Sequence, residues 1–492
     1  MFANVSLRAL NLTRRFMPLL AVLVLVPFTA EAKTLYVNAG TGNDATTYAA
    51  NSEAFPWRTI GRAAWGSTNR GAPSASEAAR AGDVVYIVPA TYTTVGNLTG
   101  GGFGRQDVAY NPVNSGTPGS PIRFECTGTC VLTYSSGAGP MIGSMDRNYI
   151  EWSGFSLTEA TAPTRQDTGP VTFFRAIGGS LENSILTGVD NWTARVGDNY
   201  TGVRLEDSSG VRIANNHIRN FGGVTGDRNH AGIETYRSYP ILIENNEITN
   251  CGSGIYLKGT SPTSTVATVT VRFNLLRRNR WALHVLQLPM TSAQPALFYQ
   301  NVFEGNYESA LWINAFDNSQ YDAKWVRFFN NTIVNNAAGM ASYNWGAFPA
   351  DANFLWANNI VSGTGNRLRM DNANDTQNLT ATTHALDRNV YATESFTTGG
   401  TSRSLAYLRG FGQDSNSVVT NPGFVSATDY RLASGSPART VGRALYGVGG
   451  PNGAVIPAGA YITGNERIGP SGAAAPGLPS APTGLRIGVG GQ

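Results

Sequence analysis

The 492-residue sequence is 41% hydrophobic and only 14% charged, with a formal net charge of +4. A chain this long and this apolar can bury a large core, which excludes a disordered class. Its 57 glycines, with abundant Asn, Thr and Ser, favour short strands and tight turns over helices.

Residues 1–32 read as an export signal. Arg8, Arg14 and Arg15 precede the apolar run Phe16–Val26, and Ala30-Glu31-Ala32 supplies a small-x-small cleavage site. The apolar run is too short to span a bilayer comfortably, and no other stretch is apolar enough. A secreted or periplasmic protein with no membrane span after signal removal is expected. Losing three Arg and one Glu lowers the net charge from +4 to about +2, so bulk charge gives no argument for nucleic acid.

Residues 33–120 read as an N-terminal strand and cap. Thr34–Val37 has strand character, and Thr59–Ala64 starts a short helix suited to covering the open end of a solenoid, where strand edges would otherwise be bare. Ala81–Tyr92 then gives a turn and a strand. Cys126 and Cys130, four apart in ECTGTC, can close a small disulfide loop in an exported chain. Cys251 stands alone and reads as a buried turn residue.

From Val211 to Val361 one phrase returns: IANNHI, IENNEI, RFNLL, YQNVF, FNNTI and ANNIV. Aligned on Asn216, Asn246, Asn274, Asn301, Asn331 and Asn359, the steps are 30, 28, 27, 30 and 28 residues. A repeat of this period marks a stacked solenoid, and apolar-polar alternation over four to six positions gives strands rather than helices. Earlier rungs continue less cleanly through Ile122–Phe124, Tyr149–Trp152 and Leu181–Leu186, and the solenoid is placed at 121–400. Residues 401–468 follow as C-terminal rungs and an irregular cap, and 469–492 as a flexible Gly/Ala/Pro-rich tail.

The succession TLYVNAGTGND, FPWRTIGRAA, AGDVVYIVPATY, NSGTPGSPIRFEC and RNYIEWSGFSL, together with the NNxI phrase, resembles secreted right-handed parallel β-helix proteins of the pectate-lyase-like superfamily over residues 33–400. The resemblance implies an all-β fold of about ten rungs, with three parallel sheets and Asn residues stacked at one bend. It covers lyases, hydrolases, epimerases and non-catalytic adhesins alike.

With Asn as register, the strands between the turns align as GVRLE (202–206), GIETY (232–236), GIYLK (254–258), ALHVL (282–286), ALWIN (310–314) and GMASY (339–343). Second and fourth positions are apolar or small and point inward; third and fifth positions face outward in two columns. One column holds Arg204, Glu234, Tyr256, His284, Trp312 and Ala341, and the other Glu206, Tyr236, Lys258, Leu286, Asn314 and Tyr343. Mixed aromatic and ionisable residues suit a carbohydrate groove, where rings pack on sugar faces and charges orient the ligand.

Rungs lie about 4.8 Å apart, which puts Glu234, Tyr256, Lys258 and His284 within one monosaccharide's reach. β-Elimination from a uronic-acid polymer needs a cation at the carboxylate, a base for the adjacent proton and a donor for the departing oxygen. Lys258 and Arg204 are candidates for the charge, Lys258 or His284 for the base, and Tyr256 or Tyr236 for the donor. A lysine base on a β-helix strand resembles what some polysaccharide lyases use. Glu206, His230, Tyr236, Trp312, Asn314 and Tyr343 are candidate substrate contacts, His230 from the loop before the Glu234 rung. His217 follows an Asn turn and reads as structural.

Two alternatives stand beside the lyase. Glu206 and Glu234, roughly 8 Å apart on adjacent rungs, suit inverting hydrolysis, although the NTD and GHG motifs of polygalacturonase-like hydrolases are missing. A non-catalytic carbohydrate-binding or adhesin protein is the other, and Arg204 with Glu234 also reads as a plain ion pair. Asp190, Asp198, Asp207 and Asp227 in bordering loops make calcium a candidate cofactor without a fixed ligand spacing. The expected partner is an extracellular polysaccharide, and the expected state a monomer.

Overall fold

In the computed structural model of the chain, each repeat becomes one turn of three short strands. Tyr200–Glu206, Val211–Ala214 and His217–Arg219 make one such turn, and His230–Tyr236, Ile241–Glu244 and Glu247–Thr249 the next. Corresponding strands of successive turns pair in parallel and in register, giving three sheets along one axis. The structure describes residues 31–95, 108–136, 139–159, 169–190, 199–223, 229–259, 267–286, 288, 290–314, 325–343, 353–363, 365–370, 384–398 and 400–471. The expected export signal falls almost wholly outside these, as does the expected tail beyond residue 471.

Eight turns carry three separate strands, from Val171–Phe174 to Val390–Tyr391, slightly fewer than the ten expected. In the two preceding turns the second and third strands are continuous, as Ile122–Ser136 and Ile150–Thr158. Cys126 and Cys130 are disulfide-bonded, and their loop shifts the register between Glu125 and Cys130.

The ladder Asn residues form a buried spine between the second and third sheets. Each Nδ2 donates to the Oδ1 of the next: Asn216 to Asn246 at 2.9 Å, Asn246 to Asn274 at 3.0 Å, Asn274 to Asn301 at 3.0 Å and Asn301 to Asn331 at 3.1 Å. The residue before each takes the left-handed conformation, as at Asn215 (φ 60°) and Asn245 (φ 54°), which Asn tolerates better than most side chains. A second spine, five residues on, links Asn279, Asn306 and Asn336 at 3.2 and 2.7 Å. Cys251 occupies the slot above it, its backbone N–H donating to Asn279 Oδ1 at 3.1 Å. Its buried thiol is pushed up to about 12 by desolvation.

Helix Ile60–Trp65 caps the N-terminal end, as the sequence suggested. Thr59 caps it by accepting from the Arg62 backbone, and Gly66 ends it at φ 68°. Ile60, Ala63 and Ala64 enter the core. At the far end, helix Leu405–Arg409 buries Leu405 and Leu408. The chain then returns along the outside of the Asn corner. Asn358 donates to Arg443 O (2.7 Å), Asn330 to Pro457 O (3.1 Å), Gln300 to Ala460 O (3.3 Å) and Asn245 to Arg467 O (2.7 Å). This strap covers an outward apolar stripe of the third sheet that includes Val302, Val334, Ile360 and Val390. Its last described residues, 469–471, are anchored by Gly469 N to Phe273 O and by Ser471 to Asn215.

Candidate active site

The first sheet contains the aligned strands. Arg204, Glu234, Tyr256, His284, Trp312 and Ala341 pair successively along the axis, and so do Glu206, Tyr236, Lys258, Leu286, Asn314 and Tyr343. The second and fourth positions, Val203 and Leu205 through Leu311 and Ile313, belong to the main core wherever they are apolar. Simple alternation fails one residue earlier. A Cβ on Gly232 would lie 2.4 Å from Ile248 Cγ2 and one on Gly254 2.9 Å from Leu276 Cδ2, so these positions also face inward against the third sheet. The strand thus has two adjacent inward residues, and the row before them turns outward. That row brings Trp281 onto the face, its ring 6.0 Å from His284 and 5.9 Å from Trp312.

The N-terminal part of this face is charged and closed. Arg204 is 2% exposed, with Nη2 at 3.0 Å from Glu206 Oε2 and Nη1 at 3.1 Å from Glu234 Oε2. Both carboxylates are equally buried. Charges removed from water this far persist only when paired and hydrogen-bonded, and here one guanidinium holds two carboxylates. Arg237 Nη2 lies 3.5 Å from Glu206 Oε1, and Arg237 Nε donates to Asp207 Oδ1 at 2.6 Å. Arg204 is therefore engaged by protein carboxylates and turned away from solvent.

The C-terminal part is aromatic. The Tyr256 and His284 rings stack at 4.4 Å, both 1% exposed, and Trp312 meets His284 edge-on at 6.4 Å. Trp312 stays partly exposed in the first column, and Tyr236 and Lys258 stay so at the strand ends that form one edge. There Lys258 Nζ stands 5.5 Å from the Tyr236 ring and 5.8 Å from the Tyr256 ring. The Arg237 guanidinium stacks on Tyr236 at 4.2 Å. One phenol thus carries two cations within a single side chain's reach, an arrangement that attracts an anion.

His230 is fully buried at the start of its strand, where the Gly222 turn packs on its ring. His217 lies on the third sheet with Nδ1 3.0 Å from Glu247. The side chains of Asn314 and Tyr343 fall outside the described residues, although their backbone register is as expected.

The profile of the family described as a right-handed beta helix region matches residues 129–377, just over half of the 492-residue chain. The chain belongs to the right-handed β-helix family. Among solved structures this β-helix protein is similar to pectate lyase Pel9A, at 15% identity and a TM-score of 0.52, with 88% of this chain and 97% of that chain covered. It is also similar to XylC in complex with xylose, at 12% identity, a TM-score of 0.47 and coverage of 79% and 87%. A mannuronic acid specific family 6 polysaccharide lyase from human gut microbiota matches at 13% identity, a TM-score of 0.38 and coverage of 67% and 78%. No curated protein sequence matches significantly. The likeness to Pel9A, at 15% identity, shows the shared fold.

Of the four aspartates considered for calcium, Asp190 and Asp207 are among the described residues. Asp207 is held in the bidentate pair with Arg237, and Asp198 and Asp227 lie outside the described residues. Among the described residues no three His, Cys, Asp or Glu side chains gather as a ligand set. Two residues of the face were not legible in advance. Trp281 is hidden by the broken alternation. Arg237 sits at the bend position just after the aligned strand (φ 49°), and the charges Asp146, Arg175 and Asp207 at the same bend are the signal that points to it.

Proposed function

We propose that this β-helix protein is exported and depolymerises a uronic-acid-containing polysaccharide by β-elimination at the accessible edge of the first sheet. The observation that carries the reading is Lys258 and Arg237 flanking Tyr236 at that edge. Arg237, partly exposed and bonded to Asp207 and Glu206 through Nε and Nη2, meets the sugar carboxylate with its remaining nitrogen, Nη1, which acidifies the adjacent C5–H. Lys258 Nζ takes that proton; the C5–H electrons form the C4=C5 double bond as the C4–O bond breaks, and Tyr236 protonates the departing oxygen. Solvent then returns the proton from Lys258 to Tyr236. Trp312, partly exposed, offers a ring to the neighbouring sugar, and Trp281 packs against it from behind. Arg204, Glu206 and Glu234 position the strands beneath, with Arg204 taking no part in neutralising the substrate.

The buried triad weakens the hydrolase reading, because inverting hydrolysis needs one carboxyl to protonate the leaving group and the other to activate water. Both carboxylates are instead bound to one guanidinium and at most 2% exposed. Purified protein incubated with alginate, pectate, glycosaminoglycan and bacterial exopolysaccharide tests the proposal by its products. Unsaturated uronate ends support elimination, reducing ends without unsaturation support hydrolysis, and binding without cleavage supports an adhesin.

A further inference from the structure

The N-terminal cap contains a cavity of about 190 Å³ that the proposed reaction does not use. Its walls are Trp65 at the end of helix Ile60–Trp65, Arg70 in the following loop, Val108, Pro112 and Val113 from the segment beside the first sheet, and Arg147. Drug-sized ligands occupy roughly 300–1,000 Å³, so this space suits a single ring. The walls are fixed. Ala109 N and Tyr110 N donate to Pro140 O and Met141 O at 2.8 and 2.9 Å, Asn111 exchanges two hydrogen bonds with Met145, and Val113 N donates to Ala64 O at 2.9 Å.

Three chemical features converge there. Trp65, stacked on Tyr110 at 5.8 Å, offers an aromatic face, and its buried Nε1 has no hydrogen-bond partner. Nε1 is closed to solvent, so a ring in the cavity meets the indole by its face. Arg147 is held by Nε donating to Val113 O and Nη1 donating to Asp146 O, at 3.0 and 2.8 Å, which orients the guanidinium on the cavity wall. Arg70 adds a second positive charge. Asp146, next to Arg147, is already engaged by Arg175 at 2.5 Å.

We infer that this cavity is a second sugar site, separate from the Lys258 edge, that takes one carboxylate-bearing pyranose. The CH face packs on Trp65, Val108 and Pro112, and the carboxylate meets Arg147. Arg147 lies two residues beyond Met145, which starts the row Met145, Phe174, Glu206, Tyr236, Lys258. Four steps of about 4.8 Å separate Met145 from Lys258, about 19 Å along the axis. A single acidic chain lying along the groove would thus reach both sites, and its affinity would grow with length.

The test is calorimetric titration of the Lys258→Ala protein with sodium glucuronate, galacturonate and mannuronate, with glucose and sodium acetate as controls. At least one uronate binds, glucose binds more weakly, and acetate does not displace the uronate at equal concentration. Arg147→Met and Trp65→Phe each weaken binding about tenfold, with Arg147→Lys in between, while the melting temperatures confirm that all variants are folded. The inference is overturned by no uronate binding, by glucose binding equally, by acetate displacing the uronate at equal concentration, or by unchanged affinity in both Arg147→Met and Trp65→Phe. Cleavage activity is not read in this experiment, so the cap site can fail while the lyase stands, and the reverse.

Discussion

Asn301→Ala removes one rung of the inner spine. The Asn301 side chain is fully buried, accepts from Asn274 N and Nδ2 at 3.0 Å each, and donates to Val271 O, Tyr299 O and Asn331 Oδ1 at 2.9, 3.1 and 3.1 Å. Some partners keep other bonds. Asn274 Nδ2 still meets Ile243 O and Arg272 O, and Asn331 Oδ1 still accepts from Asn301 N. The Asn274 backbone N–H loses its acceptor outright, and two carbonyls are left with less than before. At about 1–3 kcal/mol for each group left unsatisfied, the cost is about 3–6 kcal/mol. Equilibrium denaturation followed by circular dichroism reads it as a lower midpoint. Asn301→Asp separates lost bonding from lost volume, since it keeps acceptors for Asn274 but sets a carboxylate against Asn331 Oδ1. It should be as damaging as Ala at neutral pH and recover in acid. An Ala variant with an unchanged midpoint would refute the spine as a source of stability.

Three further outcomes follow from buried charge. Arg204→Met removes the guanidinium that bridges two buried carboxylates, so thermal melts should show a loss of about 3–5 kcal/mol at neutral pH. Asp414, at the C-terminal end of the spine, accepts from Asn389 Nδ2 at 2.9 Å and from Tyr391 OH at 3.1 Å, and burial pushes its carboxyl up from 3.8 to about 6. A raised folded-state value means that stability is full below pH 3.8 and is lost as pH rises through 6, by about 3 kcal/mol. Asp414→Asn should abolish that decline in a pH series of melting curves. Cys251, buried with its thiol pushed up to about 12, should resist alkylation in the native protein and react once unfolded.

The spine was legible because its period is strict and Asn suits both the left-handed turn and the stacked amide. The outward columns followed, since β pairing in register carries each aligned residue onto its neighbour, as from Arg204 to Glu234 and from Tyr256 to His284. Burial was not legible. The sequence sets Arg204 on an outward position and pairs it with Glu234, and only the fold shows the second partner, Glu206, and the burial of all three. Trp281 escaped because small residues at 232, 254 and 282 let the strand press two consecutive positions inward. The second spine escaped because Cys251 and Phe221 interrupt its Asn pattern, and the strap because nothing local in residues 442–471 names the distant corner they cover.

The most direct test of the proposed reaction is the rate of unsaturated uronate formation by wild-type, Lys258→Ala and Tyr236→Phe proteins on whichever acidic polysaccharide the wild type cleaves. The account predicts unsaturated ends from the wild type and a loss of roughly 10²–10⁴-fold in each variant, the range a positioned acid or base supplies, with melting temperatures unchanged. No unsaturated product from any acidic polysaccharide, or full activity in Lys258→Ala, would contradict it.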